Sequence, residues 1–117
     1  ISATTSRDDV LALMQSGNGE QIKYAQEDLK ADREIVMAAV QADGKALRYA
    51  SLGLRAERRV VMTAVLSDGS ALEFATDSLK ADRKVVQAAV QSDEDALEYA
   101  TEAMQRWWYT KHGQKRG

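Results

Sequence analysis

Between Asp32 and Gly44 the apolar residues Ile35, Val36, Ala39 and Val40 fall at i, i+1, i+4 and i+5, which is one face of a helix. Asp32 stands before them as an N-cap, with a carboxylate able to accept from backbone N–H groups two or three residues on. Gly44 follows, where a left-handed residue would end that helix. Asp43 then caps a second helix, whose apolar face is Ala46, Leu47 and Ala50, with Tyr49 at its border. Leu29, in the linker before the first cap, is placed for a staple-like contact.

The pattern returns every 25 residues without a gap. LKADREIVMAAVQADGKALRYAS runs over 29–51, LRAERRVVMTAVLSDGSALEFAT over 54–76 and LKADRKVVQAAVQSDEDALEYAT over 79–101. A weaker copy, TSRDDVLALMQSGNGEQIKYAQ, fits 5–26 in the same register. The cap before each second helix is Asn18, Asp43, Asp68 or Asp93, all strong N-cap types. Helices of about 8–11 residues are marginal alone and must stack on their neighbours. The expected fold is all-α: a short α-solenoid of four two-helix repeats, within a single domain over 4–103. Its units run over about 4–28, 29–53, 54–78 and 79–103. A closed bundle of the same helices satisfies the pattern equally well.

The repeat asks for a linker leucine at 104 and a cap at 107, and the chain has Met104 and Trp107 instead. No turn residue stands between Ala96 and Lys111. This predicts one long capping helix from about Asp95 to His112, ending at Gly113, with a basic tail beyond it. Met104, Trp107 and Trp108 would fold back over the last unit, or the aromatics would dock a partner. Adjacent residues do not share a helix face, so the two tryptophans are expected to point apart.

The L-[KR]-A-[DE]-R-x-[VI]-V opening, the A-V after it and the D-G-x-A-L-x-[YF]-A second half resemble the domain-of-unknown-function 4116 repeats. The resemblance covers 5–103 and implies the fold and the register of the repeat. It supplies no catalytic residues. The chain departs from the pattern at Thr4 for the linker leucine, Arg7 for the cap acid and Glu94 for the glycine. Ser6 with Asp9 offers a substitute capping box in the first unit.

Composition narrows the chemistry. There is no cysteine, so disulfides, zinc–thiolate sites and thiol nucleophiles are excluded, and no proline to break the helices. No apolar run approaches the roughly 20 residues of a membrane span. The chain carries a net charge of −2. Residues 104–117 hold Arg106, Lys111, Lys115 and Arg116 and no acid, so the body is acidic and the tail basic. An acidic body is a poor nucleic-acid binder, and no nucleic-acid partner is expected. The first residue is Ile1 rather than methionine, so a targeting segment would lie outside this chain and the compartment stays open.

Candidate chemistry is sparse. His112 is the single histidine and is expected on the solvated surface. Asp93, Glu94 and Asp95 lack the spacing of a calcium loop and read as helix-capping acids. Ser16-Gly17-Asn18-Gly19 lacks the lysine of a phosphate loop and reads as a helix C-cap. Arg33, Arg58 and Arg83 occupy helix first turns, where a cation opposes the macrodipole. They are expected to form a ladder, pairing with acids of neighbouring units or stacking on Tyr49, Phe74 and Tyr99. The competing account is an anion site on one edge, reinforced by Arg59. At the paired positions Met37/Gln41, Met62/Leu66 and Gln87/Gln91, both residues are apolar only in the third unit. That marks either wider burial or an adaptable patch for a partner.

These features favour a non-catalytic module for protein–protein interaction, of a size suited to a small accessory or structural subunit of a larger assembly. No metal or other cofactor is expected. The candidate partner-binding residues are Met37, Met62 and Leu66 on the repeats, with Arg106, Trp107, Trp108, Tyr109 and Lys111 at the end. The alternative is membrane-surface or anionic-ligand binding through the aromatic-basic tail.

Overall fold

The computed structural model describes residues 6–113. Among them every regular element is helical. Four main α-helices carry the core: α1 (Arg7–Gln15), α3 (Arg33–Ala42), α5 (Arg58–Ser67) and α7 (Arg83–Ser92). Each leads into a six-residue 3-10 helix: η1 (Gly19–Tyr24), η2 (Gly44–Tyr49), η3 (Gly69–Phe74) and η4 (Glu94–Tyr99). Three one-turn α-helices join the units: α2 (Glu27–Lys30), α4 (Leu52–Arg55) and α6 (Asp77–Lys80). The last element is α8 (Glu102–His112).

Local chemistry explains the boundaries. Asp32 Oδ1 accepts from the backbone of Glu34 and Ile35 at 3.1 and 3.3 Å, and Asp82 does the same for Lys84 and Val85 at 2.9 and 3.2 Å. The carboxylates of Asp43, Asp68 and Asp93 accept from the residue two positions on, at 3.0–3.1 Å, and open the 3-10 helices. Asn18 does not cap in this way; its amide donates to Ser16 Oγ at 3.1 Å. Ser6 Oγ accepts from Asp9 N at 3.2 Å and starts α1. The expected second helix is thus present in every unit, as a 3-10 helix. Its linker leucines sit in ordered one-turn helices, with Leu29, Leu54 and Leu79 all buried.

Stacking follows sequence order. Helices α1, α3, α5 and α7 each pack on the next, and so do η1 to η4. The molecule measures 51 × 22 × 19 Å. This elongated form decides between the two expected architectures: the chain is an α-solenoid and not a closed bundle. Ile35, Val36, Val60, Val61, Val85 and Val86 are fully buried between the two helical layers. Backbone bonds also close each unit on itself, from Ser51 N to Lys30 O, Thr76 N to Arg55 O and Thr101 N to Lys80 O, at 3.0, 3.3 and 3.2 Å.

The repeated glycine has a different role from the one the sequence suggests. Gly44 is not left-handed; among the described residues only Gly17 and Gly113 have positive φ, at 100° and 95°. A Cβ on Gly44 would collide with the Ala64 carbonyl oxygen and lie 2.9 Å from Asp68 N, both in the following unit. Gly19 faces the Ala39 carbonyl and Gly69 the Ala89 carbonyl in the same way. The glycine therefore permits close approach of successive units. The fourth unit has no such unit after it, and there the position is Glu94, exposed.

The true left-handed cap belongs to the first unit. Gly17 N donates to Met14 O at 3.2 Å and Asn18 N to Leu13 O at 3.3 Å, closing α1 as the Ser16–Gly19 turn suggests. At the far end, the expected continuous helix from Asp95 to His112 is interrupted. Ala100 and Thr101 are extended, and Thr101 Oγ1 accepts from Met104 N at 3.3 Å to start α8 afresh. Thr101 repeats the cap of Ser51, and Met104 is buried where the other units place leucine. Helix α8 is therefore the one-turn linker helix prolonged, and it stops at Gly113 as expected.

Gly44→Ala is expected to cost about 1–3 kcal/mol through overpacking, whereas Glu94→Ala, at the same repeat position, should stay within about 0.5 kcal/mol. Urea unfolding of both variants checks this; equal losses would mean that close approach is not what the glycine provides.

Candidate functional site

The arginine ladder is present. Arg33 donates to Glu57 through Nε and Nη2 at 2.8 and 2.6 Å, and Arg58 Nε lies 3.2 Å from Asp82 Oδ2. Arg7 bonds Asp32 at 2.6 Å and Glu34 at 2.6 Å. Apart from Glu34, in the first turn of α3, each acid receiving an arginine stands at the N-cap position of the next main helix, so Asp32 and Asp82 serve cap and ladder together. Glu57 makes no cap bond and serves the ladder alone. The departure at Arg7 keeps the ladder: Ser6 takes over the cap, and Arg7, the first residue of α1, reaches Asp32. Arg33, Arg58 and Arg83 do not stack on Tyr49, Phe74 and Tyr99. Arg48 does that work instead, 5.1 Å from the Tyr49 ring centre and 5.6 Å from that of Phe74.

The last rung changes chemistry. Arg83 would meet a cap acid at 107 and meets Trp107, with its guanidinium carbon 5.0 Å from the ring centre. Lys111 Nζ lies 5.5 Å from the same ring. A cation–π contact thus closes the ladder where no further helix needs a cap. Trp108 does not point away from Trp107 as expected: the two rings lie edge to face, 6.2 Å between centres, and both pack against the core. Trp108 stacks on His112 at 3.9 Å and lines a cleft of about 380 Å³ with Tyr109, Glu94, Asp95 and Glu98. Trp107, Trp108 and Tyr109 are all half-buried and packed against the core, while Arg106, Lys111 and His112 are exposed. Lys115 and Arg116 lie outside the described residues.

The ladder sets the electrostatics. The Arg7 guanidinium, with cap N–H groups, holds the Asp32 carboxyl below the usual carboxylate range, and Arg33 does the same for Glu57. Burial, together with Glu73 and Glu98, pushes the Tyr99 phenol up.

The third unit is different. Leu66 is 64 % exposed, which removes wider burial as the reason for its apolar character. Met62, half-buried, lies one turn before it on α5. Together they floor an open groove of about 500 Å³, completed by Thr63, Arg58, Arg59 and, from α7, Lys84. Met37 is half-buried on α3 and does not line this groove. Met62 and Leu66 on the one hand, and Trp108 and Tyr109 on the other, therefore occupy separate depressions, and Met37 and Trp107 line neither. Among the described residues no three or more acidic or histidine side chains are placed so that they could hold a metal ion together.

The family model for the domain of unknown function DUF4116 matches residues 7–55 and 58–105. The chain belongs to the DUF4116 family. Each match spans two of the structural units, and the two matches meet between α4 and α5. In this DUF4116 chain no curated protein and no solved structure gives a further match. Lys84 is the groove residue that the sequence reading passed over. It stands one period after Arg59, and the same position in the earlier units is Asp9 and Glu34, a reversal of charge visible in the repeat itself.

Two expectations follow for the ladder. Asp32 and Glu57 have lowered pKa values in the fold, so their stabilisation is complete above the unfolded carboxylate range of about 4 and is lost as pH falls through the folded values. Thermal melting should be insensitive to these groups between about pH 5 and 7 and decline below about pH 4, with a shallower decline in Glu57→Gln. For the last rung, a double-mutant cycle of Arg83→Ala and Trp107→Ala should give a coupling of about 0.5–1 kcal/mol. A coupling of zero would reduce the contact to coincidence.

Proposed function

We propose that this DUF4116 chain is a non-catalytic helical-repeat module that binds protein. The reading rests on one observation: an exposed leucine and a half-buried methionine share an open groove on a fully interlocked stack of helices. Every other large apolar side chain of the main helices among the described residues is covered or half-covered. A protein surface gains from covering such a patch, and a stack whose units are already fixed loses little further entropy on binding. The repeated acids have structural work as caps and ladder partners, and the lone histidine stacks on Trp108. An accessory subunit of a larger assembly is the form of this function that the chain's size suits.

The test is affinity capture with the full chain from cells that express it, with chemical cross-linking and mass spectrometry. A protein partner retained at defined stoichiometry is expected. Failure to retain any protein, or turnover of a small substrate by the purified chain, would overturn the reading.

A further inference from the structure

The groove on α5 and α7 has a charge as well as an apolar floor. Arg59, Met62, Thr63 and Leu66 fall at i, i+3, i+4 and i+7 and form one stripe along α5. Lys84 closes the groove from α7. Arg58 already bonds Asp82, but Arg59 and Lys84 have no ion-pair partner among the described residues. All three cations stand in helix first turns, where the macrodipole disfavours positive charge. Arg58 is accounted for by the ladder, while nothing within the fold accounts for the other two.

The other units supply the comparison. Where α5 has Arg59, α1 and α3 have Asp9 and Glu34. Where it has Leu66, α3 and α7 have Gln41 and Gln91, both exposed. The repeat fold thus accepts an acid at the first position and a glutamine at the second. Helix α5 departs from the earlier units at both positions, on one groove. An apolar floor between cations without partners is complementary to apolar side chains flanked by carboxylates.

We propose that the α5–α7 groove is a docking site for a short, acidic, amphipathic segment of a partner protein, with its apolar side chains on Met62 and Leu66 and its carboxylates on Arg59 and Lys84. The proposal rests on the protein-binding reading and names the chemistry of the partner.

The test uses a displayed library of random 14-residue peptides panned against the full chain. The Leu66→Gln/Lys84→Glu variant serves for subtraction. Both substitutions follow residues that the repeat already carries or reverses at those positions, and circular dichroism with thermal melting confirms that the variant folds. Peptides surviving subtraction should combine Asp or Glu with Leu, Met or Phe. A synthetic representative should bind Leu66→Gln about tenfold more weakly and lose affinity steeply with salt. Survivors that are basic or uncharged, or no survivors at all, would overturn the proposal. Two other occupants are outcomes that would also overturn it. One is a second copy, seen as concentration-dependent mass in the wild type that Leu66→Gln abolishes. The other is a lipid surface, seen as sedimentation with phosphatidylserine vesicles that the same substitution abolishes. If captured proteins cross-link elsewhere on the chain, the protein-binding reading survives and the groove assignment alone fails.

Discussion

The structure depends on how closely one unit can approach the next. At Gly19, Gly44 and Gly69 the backbone opening each 3-10 helix sits against the carbonyl of Ala39, Ala64 or Ala89 in the following unit, with no room for a side chain. That approach brings the two helical layers into register and buries the valines and isoleucine of successive main helices. Within each unit, Ser51, Thr76 and Thr101 donate their backbone N–H back to Lys30, Arg55 and Lys80. The four units are consequently not alike in their needs. The glycine is required where the next unit packs against it, and the constraint lapses at Glu94, where α8 follows in place of another main helix.

The same logic governs charge. A helix first turn ordinarily favours acids, yet Arg33, Arg58 and Arg83 stand there. The acid that favours Arg33 and Arg58 comes from the next unit's cap, so the electrostatic cost inside one helix is offset across an interface between two. These pairs are exposed and individually weak. Their value lies in repetition and in direction, since each rung fixes the lateral position of the next unit. Trp107 ends the series with an aromatic face in place of a carboxylate. The terminal aromatics pack against the core, and packing does not explain the apolar departure on α5.

That departure is chemically coherent. Glutamine at the position of Leu66 is the solution adopted in the second and fourth units, and acid at the position of Arg59 in the first and second. A repeat provides its own reference state: where several copies solve the same packing problem alike, the copy that differs is carrying something besides packing. On α5 the differing residues Arg59 and Leu66 meet in one groove, apolar in the middle and positive around it; Leu52, 68 % exposed where the other copies have Glu27, Asp77 and Glu102, departs outside it.

By itself the sequence determined the period, the helical class, the caps at Asp32, Asp43, Asp68, Asp82 and Asp93, and the apolar faces, because each of these is a relation among residues a few positions apart. It also exposed the odd pair Met62 and Leu66, since copies could be compared position by position. Only the tertiary structure decided that the stack is open and that the second helices are tightened to 3-10. It also decided that Gly44 serves close approach and that Thr101 interrupts the terminal helix. The burial or exposure of Leu66 was equally beyond the linear pattern, for a residue beside an apolar face is covered or bare according to the angle between neighbouring helices. Lys84 joined Leu66 in one groove for the same reason: the two are far apart along the chain, and the distance between units, set by a glycine against a carbonyl, is what brings them together.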